Sequence, residues 1–154
     1  MARFVAGLTQ AHRLPGRPSC IPGGYARKGA KAYGLRYERT VALRTGGLHG
    51  IWFSYVDANG LGYCQPDVLL GMDGELIILE CKLTEVDDAR KQLAHLYLPV
   101  VAKATGRPTR GIVVTRHLTR ETNPSNVCSS LGEALKRATS DYAPTLHWIG
   151  RGPI

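Results

Sequence analysis

The chain has 154 residues, 44% hydrophobic and 21% charged, an ordinary globular balance for one domain. No apolar run approaches the ~20 residues of a membrane span, and the opening stretch Met1 to Gln10 is too short and polar for a signal-peptide core, so neither a membrane partner nor export is expected. Twenty Lys and Arg against 12 Asp and Glu leave a net charge of +8, which favours a polyanionic partner.

The first 27 residues hold Pro15, Pro18, Pro22 and several glycines without an apolar period, and read as an irregular basic arm suited to gripping a polyanion. The remaining residues, 28–154, read as a single domain, with a core over 28–116 and a C-terminal αβ addition over 117–154. From Lys28 to Arg44 the pattern predicts a helix, with Ala30, Tyr33, Tyr37 and Val41 on one apolar arc, Glu38 at its edge, and Gly46-Gly47 as the stop. Tyr25, Tyr33 and Tyr37 interleave with basic residues, a pattern that can stack unpaired bases. The place of Tyr33 and Tyr37 on the arc assigns them to the core instead.

Three strands are expected next: Ile51 to Val56, Tyr63 to Leu70 after the hairpin signal Asn59-Gly60, and Glu75 to Leu83 after the turn Gly71-Met72-Asp73-Gly74. A helix is expected from Thr84, with Asp87 as its capping-box partner. Val86, Ala89, Leu93, Leu96, Tyr97 and Val100 form its buried face, Pro99 kinks it or ends its first part, and Gly106 ends it. A strand over Arg110 to Arg116, a short helix opened by Ser130 and Glu133, and an outer strand over Thr145 to Ile149 complete the order. Cys20, Cys64, Cys81 and Cys128 match neither a zinc pattern nor a redox pair, and predict reduced, mostly buried thiols in a cytoplasmic protein. The five histidines show no metal spacing and are expected at the surface or as caps.

Charge is unevenly placed. Residues 1–50 carry nine bases and one acid, residues 51–105 four bases and eight acids, and residues 106–154 seven bases and three acids. Basic segments flanking an acidic middle suit a phosphate backbone held beside a divalent cation. Within that middle, Glu80 and Lys82 interrupt a nearly all-apolar strand at i and i+2, so both point to one face. Burying such charges costs several kcal/mol unless they are paired or hold a metal. With the hairpin turning at Met72-Asp73, Asp67 lies opposite Ile78, on the face of Glu80 and one diagonal away, close enough for two carboxylates to share a cation.

At Pro66-Asp67 and Glu80-Cys81-Lys82 the chain resembles the PD-(D/E)xK nuclease superfamily, and the order of elements over about 28–116 resembles its restriction endonuclease-like αβββαβ core. The resemblance implies an α/β fold with a central mixed sheet flanked by helices. It implies a Mg²⁺-dependent nuclease, with Mn²⁺ able to substitute, that hydrolyses phosphodiester bonds of DNA as an exonuclease or a structure-selective endonuclease. Asp67 and Glu80 would be metal ligands, the Cys81 backbone carbonyl a third, and Lys82 would orient the attacking water or stabilise the phosphate. Glu38 is similar to the acid that many members place on the first helix, and binds metal directly or through water. Gln92 is similar to the Gln of RecB-like members, usually followed by Tyr four residues later; here Leu96 takes that place and Tyr97 follows it. The basic residues Arg27, Lys28, Lys31, Arg36 and Arg39 are assigned to nucleic-acid binding. Two alternatives remain open: a Holliday junction resolvase acting as a homodimer, and a non-catalytic nucleic-acid-binding module on the same fold.

Overall fold

Asp73 and Gly74 both take positive φ, 48° and 80°, as a two-residue type I′ hairpin requires. That turn joins β5 (Val68–Met72) to β6 (Glu75–Thr84) and sets Met72 opposite Glu75. The computed structural model describes residues 3–21, 30–84 and 87–154. Among these residues no helix is long and apolar enough to cross a membrane.

The fold is mixed α/β. A six-stranded central sheet has the order β2-β5-β6-β7-β9-β8, with β2 at Leu48–His49, β7 at Thr109–His117, β8 at Val127–Cys128 and β9 at Thr145–His147. β2, β5 and β6 run antiparallel, and β6, β7, β9 and β8 run parallel, so the sheet is mixed. One face packs on helix α1 (Ala30–Thr45) and helix α4 (Leu131–Arg137) through Tyr37, Val41, Ile77, Leu79, Val114 and Ala134. The other face packs on a long helical segment: α2 (Asp87–Gln92), a π-helical turn (Leu93–Tyr97) and α3 (Leu98–Thr105), which ends at Gly106 with φ 67°.

A second, three-stranded sheet, β1-β3-β4, lies against the α3 side. It consists of β1 (Gln10–Arg13), β3 (Phe53–Asp57) and β4 (Gly60–Cys64). Three sequence expectations are corrected here. The arm is not irregular throughout, because Gln10–Arg13 pairs with β3 and buries Ala11. Tyr63 to Leu70 is not one strand: Pro66, which has no N–H to donate, separates β4 from β5, and the two halves join different sheets. The strand at Phe53–Asp57 consequently leaves the central sheet, and Leu48–His49 takes the place beside β5.

Smaller departures have equally local causes. Tyr33 is 55% exposed rather than core, while Tyr37 is buried and donates its hydroxyl to the Trp148 carbonyl at 2.8 Å. Thr84 closes β6 instead of opening a helix. The break near Pro99 takes the form of the preceding π turn. β9 lies between β7 and β8 rather than at the rim, and the short β8 forms that edge. Arg27, Lys28, Tyr25 and Val86 lie outside the described residues. Of the cysteines, Cys64, Cys81 and Cys128 are buried free thiols and Cys20 is an exposed one.

Candidate active site

The hairpin pairs Val68 with Leu79, so Asp67, one residue before β5, stands opposite Glu80 instead of opposite Ile78. The register differs by two residues from the sequence expectation. An even shift preserves the face, so the two carboxylates move from diagonal to direct neighbours. Pro66 ends the ladder, and the Asp67 side chain takes over its work: Oδ2 accepts the Cys81 backbone N–H at 2.8 Å.

Glu80 lies on the α2–α3 face of β6, in line with Ile78, and is only 1% exposed. Burial pushes its pKa well above the ordinary carboxyl value, and the Asp67 carboxyl within hydrogen-bonding reach pushes it further, while Lys82 opposes the shift. Two ionised carboxylates are acceptors only, so neither satisfies the other. Glu80 Oε2 is buried with no hydrogen-bond partner among the described residues. The pair therefore needs a shared proton or a cation between the two groups.

Lys82 is half-buried, two residues further along β6 on the same face, and donates from Nζ to Gln92 Oε1 at 3.5 Å. Gln92 is the last residue of α2, so the helix after the motif strand steers the lysine head group. Tyr97, buried five residues beyond Gln92, has its hydroxyl pKa raised by burial and then by the negative charge of Glu80 and Asp67. Sequence reasoning placed Tyr97 in the core, which its burial bears out, but its electrostatic surroundings are those of the carboxylate pair.

Glu38 projects from α1, and its Oε1 lies 3.2 Å from His49 Nε2 on β2. His49 is half-buried; desolvation and the nearby Arg39 hold its pKa below the ordinary value, and Asp67 opposes this. Glu38, His49 and Arg39 thus form an outer group beside the Asp67–Glu80 pair, and Glu38 adds a small upward push on Glu80. His49 was missed as a site residue. It neighbours Glu38 only because the short β2 folds back on α1, and no spacing rule signals that.

The donor set is small. Among the described residues no group of three or more His, Cys, Asp and Glu converges as a metal-holding cluster. Asp67 and Glu80 are the two carboxylates in direct contact. That set, with one buried oxygen unpartnered, fits a hard divalent cation of the Mg²⁺ kind, which keeps several waters and needs only one or two carboxylates. Of the cationic residues expected to bind nucleic acid, Lys31, Arg36 and Arg39 lie on α1. Arg39 is felt by His49, whereas Arg36 lies over the Tyr33 ring, 5.4 Å from its centroid. No known protein family, curated protein or solved structure matches the chain.

Proposed function

We propose that the chain is a divalent-metal-dependent nuclease that hydrolyses phosphodiester bonds of DNA. The observation that carries this reading is the facing pair Asp67–Glu80, acceptor against acceptor, with Glu80 buried and one of its oxygens unpartnered. Retaining such a pair costs stability unless something positive binds between the two groups. The sequence α1-β2-β5-β6-α2/α3-β7 supports the restriction endonuclease-like core of the resemblance, with β3 and β4 inserted as a hairpin that pairs with the arm. The late tyrosine fits as well. A π turn closes i to i+5, so Tyr97 reaches the side of Gln92 that a residue four places on reaches in an α-helix.

Asp67 and Glu80 would hold the cation, with the Cys81 carbonyl as a further ligand and Glu38 acting through water. A bound Mg²⁺ or Mn²⁺ supplies charge neutralisation at the phosphate and a lowered pKa for water. Lys82, tethered by Gln92, presents a positive head group where charge builds up on the phosphate. The Asp67 bond to the Cys81 N–H fixes the carboxylate's rotation, which keeps Asp67 aimed at its neighbour.

The test is cleavage of single-stranded, duplex and four-way-junction DNA with Mg²⁺ or Mn²⁺, beside Asp67→Asn, Lys82→Met and a chelator control. Wild-type cleavage that both variants and the chelator abolish is the expected result. Equal activity in wild type and variants, or none on any substrate, overturns the reading; metal-independent DNA binding without cleavage would then favour the non-catalytic module. Paired symmetrical cuts in a junction by a dimer would identify the resolvase, and degradation from ends by a monomer the exonuclease.

A further inference from the structure

On the flank of α1 away from Glu38 an open groove of about 840 Å³ runs between the helix and the C-terminal ends of β7 and β9. At ~100° per residue, Tyr33, Arg36 and Thr40 share one side of α1 and Glu38 lies on the other, across the buried arc of Tyr37 and Val41. The groove is therefore distinct from the carboxylate site. Arg36, Arg116 and Arg151 line it, together with His117 and His147, and among the described residues no acid does. Three exposed apolar groups stand together along it: Tyr33 is 55% exposed, Ile149 50% and Leu118 40%.

The walls are held in place before any ligand arrives. Tyr37 bonds the Trp148 carbonyl across the floor at 2.8 Å, and Arg44 donates to the Gly152 carbonyl at 3.0 Å. Gly150, with φ 92°, turns the chain so that Arg151 stands exposed at the rim.

We infer that this groove anchors an unpaired DNA strand, with Arg36, Arg116 and Arg151 on phosphates and Tyr33 as a stacking platform for a base. Cations without acids select a polyanion. Exposed rings and aliphatic groups select one whose bases are free, because in a duplex the base faces are stacked inside and only their edges reach the grooves. The guanidinium of Arg36 lies over one face of the Tyr33 ring, a cation–π contact that steadies the ring for stacking through its other face. The choice of DNA over RNA rests on the nuclease reading; the location and the preference for unpaired bases do not.

The test is fluorescence anisotropy with a labelled oligothymidylate of about 12 nucleotides, in chelator so that nothing is cut, against a blunt duplex and an oligouridylate. Tyr33→Ala should raise the single-strand Kd about tenfold while Tyr33→Phe leaves it within about twofold, as stacking of roughly 1–3 kcal/mol per base implies. The double variant Arg116→Gln, Arg151→Gln should reduce the salt slope by about 1.4, the value for two lost phosphate contacts on a single strand. Unchanged affinity in both variants, or duplex binding that is tighter and equally sensitive to Tyr33→Ala, overturns the assignment; tighter oligouridylate binding overturns the choice of DNA. Metal-dependent cleavage is read separately on the same proteins. Cleavage retained with no groove effect condemns the groove alone, and a groove effect without cleavage condemns the nuclease reading alone.

Discussion

The backbone N–H of Val5 donates to the carbonyl of His95 at 2.8 Å. In an uninterrupted α-helix that carbonyl would bond the N–H of residue 99, and proline has none to give. The N-terminal arm thus completes the long helix. The arm is further held by Arg3 on Asp57, by Ala58 N–H on the Ala6 carbonyl, and by the β1–β3 pairing. Removing residues 1–14 should lower Tm by about 5–10 °C, roughly 2–3 kcal/mol at this length. Pro99→Ala restores a competing N–H, and amide exchange at Val5 should quicken with the rest of the protein little changed.

Glu80 makes metal-free stability depend on pH with a definite sign. Its folded pKa is raised well above the ordinary carboxyl value, so in the interval between the two values the folded state binds more protons than the unfolded. Stability therefore falls as pH rises from the ordinary carboxyl range through the raised folded value, and is flat beyond it. Glu80→Gln removes that slope and should raise Tm at neutral pH in chelator by a few degrees, while abolishing cleavage. Thermal melts of both proteins across pH measure it; equal slopes would contradict the burial of an ionisable group there.

Gln92→Ala should leave Tm within about 1 °C, because Gln92 is half-buried at the end of α2 and exchanges a weak 3.5 Å contact. It releases Lys82, so kcat should fall about tenfold with KM nearly unchanged, the signature of a group that acts on the transition state through another. Gln92→Glu, which keeps an acceptor for Lys82, should recover part of the loss. A rise in KM alone would place Gln92 in substrate binding instead.

Two glycines separate packing from propensity. A Cβ at Gly62 would lie 2.4 Å from Cζ of Tyr55, itself only 2% exposed, and 2.7 Å from an Arg3 guanidinium nitrogen. Gly62→Ala should therefore cost roughly 1–3 kcal/mol through overpacking of the small sheet. A Cβ at Gly71 meets nothing within 4 Å, and its φ is not in the left-handed region. Gly71→Ala should be neutral or slightly stabilising, and chemical denaturation of the pair reads the contrast.

The carboxylate and lysine positions were legible because an apolar strand rarely carries a charge that has neither a partner nor a ligand to hold. Their register was not, since the turn falls on Asp73-Gly74 rather than Met72-Asp73, a choice decided by positive φ at both positions. The break between β4 and β5 falls at Pro66, inside the stretch expected as a single strand from Tyr63 to Leu70, and periodicity cannot say which sheet a strand joins. Tyr33 shows the limit of an apolar arc, because periodicity marks a side without measuring how far the neighbouring layer extends over it. The pairing of Glu38 with His49 and the groove beside Arg116 are products of tertiary folding, invisible to any local pattern.

The β5–β6 turn sits at the far end of the hairpin from Asp67 and Glu80, yet which residues it takes decides how far apart they stand: a turn on Asp73-Gly74 sets Asp67 opposite Glu80, where one of equal length on Met72-Asp73 would set it opposite Ile78. Lengthening one arm by a single residue would invert every alternating side chain of that arm, whereas two residues would slide the acids past each other by one notch. The separation of the two carboxylates can thus be changed from a remote loop without altering either acid.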